Sequence, residues 1–284
     1  MFRLMDGPHA TTDPLRSAAP TSTDRRQLLV GLAALAGGLL LPRLPRAAEP
    51  ATSSVLRLGA LRISDRDHDV RGSLDHLAAE VRMRTSIETA HRSLAVDLGD
   101  DTLFRTPVLF WAPAAGGSRP SEAALGRLRE HLSSGGLLWI DDTSASGPST
   151  AVDAVVRDVV ARLFGRPLEP VPQRDVVFRT FYRLDEAVGR RADIKALEGQ
   201  RLGRRWSILY GRDDLLGAFR RAGSGGPAVP AVPGGEAQRE MAYRLGVNVL
   251  MYALCLDYKD DHTHVQTLLR RRRGRSGGGT RRAP

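Results

Sequence analysis

Two short runs constrain this chain most: Val108-Leu109-Phe110-Trp111 and Leu137-Leu138-Trp139-Ile140. Each is apolar at every position and bounded by turn-forming or polar residues. A strand that is apolar on both faces has to be covered on both faces, as happens inside a parallel sheet with helices above and below it. Between the two runs, Leu125, Leu128 and Leu132 fall on one helical stripe. Pro120 opens that segment and Gly135-Gly136 closes it, so the spacing predicts an amphipathic helix.

The same alternation extends in both directions. Residues 55–63 read as a strand and Asp65-Arg66-Asp67-His68-Asp69 as a polar loop. Leu74, Leu77, Ala78 and Val81 predict a helix over 72–84, and residues 94–98 and 107–111 read as strands. After Asp141-Asp142, Thr150 and Asp153 stand at capping-box-like spacing before a helix whose buried side runs from Val152 to Leu163 and which Gly165 and Pro167 stop. The second half is less regular. Residues 176–182 and 206–210 read as strands, and 223–235, with Pro227, Pro230 and Pro233, as a Pro/Gly-rich loop. A closing helix over 236–257 is apolar on nearly all faces from Leu245 onward, which places it against the sheet and makes Cys255 a small buried hydrophobe. The expectation is an α/β fold with a doubly wound, mostly parallel sheet sandwiched by helices.

The N-terminus points to a destination. Asp24-Arg25-Arg26-Gln27-Leu28-Leu29 leads into 28–41, fourteen residues without a charge. As a helix such a run covers about 21 Å, short of the roughly 30 Å of a bilayer core. It resembles a twin-arginine export signal, with Asp24 in place of the usual Ser or Thr, and implies that Arg25 and Arg26 engage the export machinery. The expected address is the periplasm. Arg46 is a poor match to a cleavage site after Ala48, so cutting near 51–54, or retention at the inner membrane by an uncleaved signal, are the alternatives. The expected organisation is a signal with an N-terminal extension over 1–54, one α/β domain over 55–269, and a disordered Arg/Gly-rich tail over 270–284.

The net charge of +10 is concentrated at the ends. Six arginines face three aspartates in 1–48, and seven arginines stand without an acid in 270–284, which accounts for all of it and leaves 49–269 neutral. A nucleic-acid reader carries its basic patch on the folded domain, so this distribution argues against nucleic acid as a partner; with the export signal, envelope or membrane-associated proteins are the expected partners. Cys255 is the single cysteine, so no intramolecular disulfide can form.

Several stretches together resemble a bacterial family known as domain of unknown function 4159. They are Arg84-Thr85-Ser86-Ile87, the segment 104–111, Leu128 to Leu132 leading into Gly135-Gly136-Leu137-Leu138-Trp139-Ile140-Asp141-Asp142, the segment 207–216 with Asp213-Asp214, and Leu245-Gly246-Val247-Asn248-Val249-Leu250-Met251-Tyr252-Ala253-Leu254. The resemblance covers about 56–258. It implies a flavodoxin-like sandwich similar to the class I glutamine amidotransferases, and brings no established activity or cofactor with it.

Ligands of open α/β sheets bind at the carboxyl ends of the strands. That rule selects Trp111, Asp141-Asp142-Thr143-Ser144 and Asp213-Asp214 as candidate ligand-binding residues, with Arg84 approaching the same rim. The resemblance implies that the strand ending at Asp141 is the one that carries the nucleophilic cysteine in amidotransferases. An aspartate there counts against glutaminase chemistry. Two readings stand: a non-catalytic binder in the envelope, and a hydrolase or transferase using Asp141 and Asp142, with or without a metal. Against both, aspartates at strand ends commonly cap the following turn. His262-Thr263-His264 would present two imidazoles to a metal only if extended.

Overall fold

The computed structural model describes residues 55–276 apart from Ser118, and of 256–276 the helical backbone alone. The expected export signal lies outside the described residues. The chain forms β1 (Leu58–Arg62), α1 (Arg71–Arg84), β2 (Leu94–Asp97), β3 (Val108–Trp111), α2 (Glu122–Ser133), β4 (Leu137–Asp141) and α3 (Thr150–Phe164). There follow β5 (Glu169–Pro170), β6 (Leu197–Leu202), β7 (Arg205–Gly211), α4 (Leu215–Ala218) and α5 (Gly235–Ser276).

Seven strands form one sheet in the order β2-β1-β3-β4-β7-β6-β5. The five strands from β2 to β7 are parallel to one another, while β6 and β5 join antiparallel. Both faces are covered, as the doubly apolar strands require. Leu58, Val108, Phe110, Leu137 and Trp139 pack toward α1, α4 and α5. Their alternating neighbours Leu109, Trp111, Leu138 and Ile140 pack toward α2 and α3. After β2 is laid on one side of β1, the chain crosses to build β3 on the other. That reversal leaves a crevice above the carboxyl ends of β1 and β3.

The helix boundaries follow from their caps. Ser121 Oγ accepts the Ala124 amide at 3.2 Å to start α2. At α3 the capping residue is Ser149, whose Oγ accepts the Val152 amide at 3.3 Å, one position before the expected Thr150. Gly165, at φ 66°, ends α3 in the left-handed conformation.

Three elements differ from the sequence reading. Residues 176–182 are not a strand: Val176–Phe178 is a short 3-10 turn. Asn248, on α5, accepts the Phe181 and Tyr182 amides at 3.1 and 2.7 Å and donates to the Tyr182 carbonyl at 2.8 Å, so a side chain satisfies backbone that a ladder would otherwise pair. β6 was hidden because Gly199, Gln200 and Arg201 give no strand pattern; its hairpin with β7 turns on Gly203 at φ 62°. Finally, α5 does not end near Asp257. Its helix runs on to Ser276, so the arginine run begins on helical backbone rather than in an irregular tail. Residues i and i+2 of a helix do not share a face, which removes the extended pairing considered for His262 and His264. Cys255 is exposed, not buried. Among the described residues, no helix is long and apolar enough to cross a membrane.

Candidate functional site

Each strand-end carboxylate is occupied by backbone N–H groups. Asp141, wholly buried at the end of β4, accepts the Leu215 amide at 3.1 Å through Oδ1 and the Leu216 amide at 2.8 Å through Oδ2. It thereby ties β4 to the first turn of α4. Asp142 accepts Ser144 N at 3.0 Å and Ser149 N at 2.6 Å, closing the loop that enters α3. Thr143 and Ser144 are half-buried in that loop.

Asp213 is wrapped by three consecutive amides. Its oxygens accept Asp193 N at 3.0 Å, Ile194 N at 3.0 and 3.2 Å, and Lys195 N at 2.6 Å. Asp214, itself at φ 53°, caps α4 through Gly217 N at 2.9 Å and pairs with the buried guanidinium of Arg190. Burial raises the Asp141 carboxyl well above the usual range, and the neighbouring charges of Asp214 and Asp142 act in the same direction. The two amide donors oppose the shift.

The space beside Asp141 and Asp213 is about 10 Å³. That is the room of a single water at most, not of a substrate. Among the described residues, no group of three or more His, Cys, Asp or Glu is arranged to hold a metal.

The remaining expected site residues lie elsewhere. Trp111 pairs in register with Ile140, next to Asp141, but its indole packs on the α2/α3 face while Asp141 points to the α4 side. Arg84 does not approach the rim at all. It ends α1 at the opposite edge of the sheet, where Leu56 bridges to Thr89. There both Nη atoms donate to Glu240 at 2.8 Å and Nε donates to Glu80 at 2.7 Å.

Trp111 does line the crevice at the reversal between β1 and β3. This cavity of about 170 Å³ is walled by Ile63, Val155 and Val159 and bordered by Ser64, Asp67 and the Arg119–Asp158 ion pair. Asp67 organises it. Its Oδ2 accepts three hydrogen bonds: Ile63 N at 2.8 Å, Ser64 N at 2.9 Å and Trp111 Nε1 at 2.8 Å. Among the described residues none donates to Oδ1. Gly117 lies close against Ser64: a Cβ there would be 3.1 Å from Ser64 Oγ, so that side chain would have to shift by a few tenths of an ångström. Asp67 also borders a second, more polar hollow of about 310 Å³ over β1, with Asp65, His68 and Asp69. By its composition 65–69 is only a polar loop. Applying the strand-end rule to β1 as well as to β4 and β7 would have found it.

The fold and this site define an α/β domain with structural carboxylates at its strand ends and a small apolar-walled crevice at its topological reversal. Residues 57–254 match the family model described as domain of unknown function (DUF4159), and the chain belongs to that family. No curated protein matches the sequence.

Proposed function

We propose that this chain is an exported binding domain of the cell envelope that holds a small ligand in the β1/β3 crevice and carries out no glutaminase chemistry. One observation supports the reading above all: the residue where an amidotransferase-like fold would place its nucleophile is Asp141, and both its oxygens are engaged by the amides that start α4. The parallel order β2-β1-β3-β4-β7 is in keeping with a flavodoxin-like, amidotransferase-like sandwich. The Arg25-Arg26 signal supports delivery to the periplasm, where envelope proteins are the available partners.

The second reading, a hydrolase or transferase using Asp141 and Asp142, has one observation in its favour. A carboxyl held well above its usual range is a common mark of acid/base sites. It requires substrate access, and the 10 Å³ beside Asp141 leaves none.

The test uses purified full-length protein. Ammonia release from glutamine should be absent in the wild type; release that Cys255→Ala abolishes would overturn the proposal. Mg²⁺, Ca²⁺ and Zn²⁺ should leave the melting temperature unchanged, since a ligand of the native state alone has to raise it. A metal-dependent rise lost in Asp141→Asn would favour the second reading. Mass spectrometry of the N-terminus from a periplasmic extract reads export and processing directly.

A further inference from the structure

The crevice has a chemical preference that the binding reading alone does not specify. Its walls are aliphatic, from Ile63 on the β1 side and Val155 and Val159 on α3, with the Trp111 indole fixed between them. Three charged side chains border it. Asp158 is neutralised by Arg119 at 3.1 Å, whose own side chain is largely exposed at the mouth. Asp67 has no cationic partner within 4 Å among the described residues, and its carboxylate is immobilised by three donors on Oδ2, with no described residue donating to Oδ1.

The nearby basic residues are engaged or set aside. Arg62 pairs with Asp97 and Arg71 with Asp69. The Arg66 guanidinium lies against Gly116, which is not part of the cavity lining. What remains is the fixed Asp67 carboxylate at the border of a mainly apolar space of about 170 Å³. A cavity of about 150 Å³ accommodates a benzene-sized molecule. An unpaired carboxylate at the edge of such a space favours a partner that brings positive charge and hydrogen-bond donors.

Resting on the reading of this crevice as a binding site, we propose that it takes a small organic cation: a primary ammonium on Asp67 Oδ1, with an apolar body of single-ring size against Ile63, Val155 and Val159. The rigidity of the carboxylate matters, because a charge already held in place costs less to order on binding.

The experiment uses benzylamine, benzyl alcohol and benzoate as probes of one shape and three charges. They are titrated into full-length protein while the Trp111 indole N–H is followed by NMR, because that group donates to Asp67 itself. The Trp139 and Trp206 indoles, buried and without a hydrogen-bond partner, serve as internal controls. Benzylamine should shift Trp111 saturably and spare the controls, and the other two should bind at least about tenfold more weakly, in line with a hydrogen bond to a charged group. Asp67→Asn should weaken benzylamine by about tenfold or more and narrow its advantage over benzyl alcohol. Val155→Phe, which fills the cavity from a half-buried position, should abolish the response while the protein stays folded. Equal binding of benzylamine and benzyl alcohol, tighter binding of benzoate, or unchanged benzylamine binding in Asp67→Asn would each overturn the cation preference and leave the crevice a binding site. No response to any probe would overturn the inference itself, with glutamine turnover and metal response still judging the broader function separately.

Discussion

Asp141 on β4 holds the amide of Leu216 at 2.8 Å, so the loop after β7 is fastened to a strand that precedes it by more than sixty residues of chain. The carboxylate that does this is completely buried and its protonated form is favoured, chiefly by burial. A carboxyl whose folded pKa exceeds the unfolded value contributes stability that is full below the unfolded pKa and declines as pH rises through the folded one. Asp141→Asn removes that titration. The difference in unfolding free energy between wild type and Asp141→Asn should therefore shift in favour of the wild type as pH falls from 8 toward 4. Urea denaturation across that range checks it, and parallel curves for the two proteins would refute it.

Asp213, itself buried, is the sole described acceptor of the amides of Asp193, Ile194 and Lys195, which lie on an exposed turn, and Asp213→Ala leaves them to water. The expected loss is about 2 kcal/mol, that of hydrogen bonds to a charged group whose donors water can partly satisfy. The same turn has no room at Gly189, where a Cβ would sit 2.1 Å from the Asp213 carbonyl oxygen and 2.6 Å from Leu215 N. Because both neighbours are backbone atoms, Gly189→Ala should be at least as damaging. Denaturant midpoints of the two variants settle both statements.

His76 on α1 has a titration of opposite sign. His76 Nε2 accepts from Arg221 Nε at 2.8 Å, and Arg221 also reaches the Tyr243 hydroxyl at 3.0 Å. Burial, and then the charge of Arg221, lower the His76 pKa; Glu80, 3.6 Å away, opposes them. A histidine depressed in the folded state gives stability that is present above its unfolded pKa and lost as pH falls through the folded value. NMR should place the His76 titration below 6.5, and Arg221→Met should move it upward. A midpoint unaffected by Arg221→Met would contradict the assignment.

Glu240 receives both Nη atoms of Arg84, which, with Arg244, holds its carboxyl down to about 2. Its contribution is present above the unfolded pKa near 4.5 and lost as pH falls toward 2. Glu240 is more than a third exposed, so solvent screening keeps the effect of Glu240→Gln to about 1 kcal/mol or less at neutral pH. Thermal melts at pH 7 and pH 3 should show a difference between wild type and variant at the higher pH that shrinks at the lower.

The parallel core was legible because its signals are local. Trp111 and Ile140 end runs of four apolar residues, and Leu125, Leu128 and Leu132 mark their covering helix. The antiparallel border was not, since Gly199 and Gln200 in β6 owe their conformation to the facing Trp206 and Ile208 of β7. Similarly, nothing near 176–182 announces that Asn248 satisfies its backbone. The strand-end aspartates were visible as residues, but their occupancy was not. Whether Asp213 faces a ligand or the amides of 193–195 depends on where a distant turn folds back. Asp67, by contrast, follows the end of β1 and is open to the strand-end rule; only its bond to Trp111, 44 residues away, is not.

β5 is only two residues long and terminates in a proline. A neighbouring molecule therefore finds almost no free donor or acceptor along that margin onto which to extend the sheet. Copies brought together at high concentration would have to meet through helices or loops there, which makes runaway fibre growth from that side of the molecule a poor route.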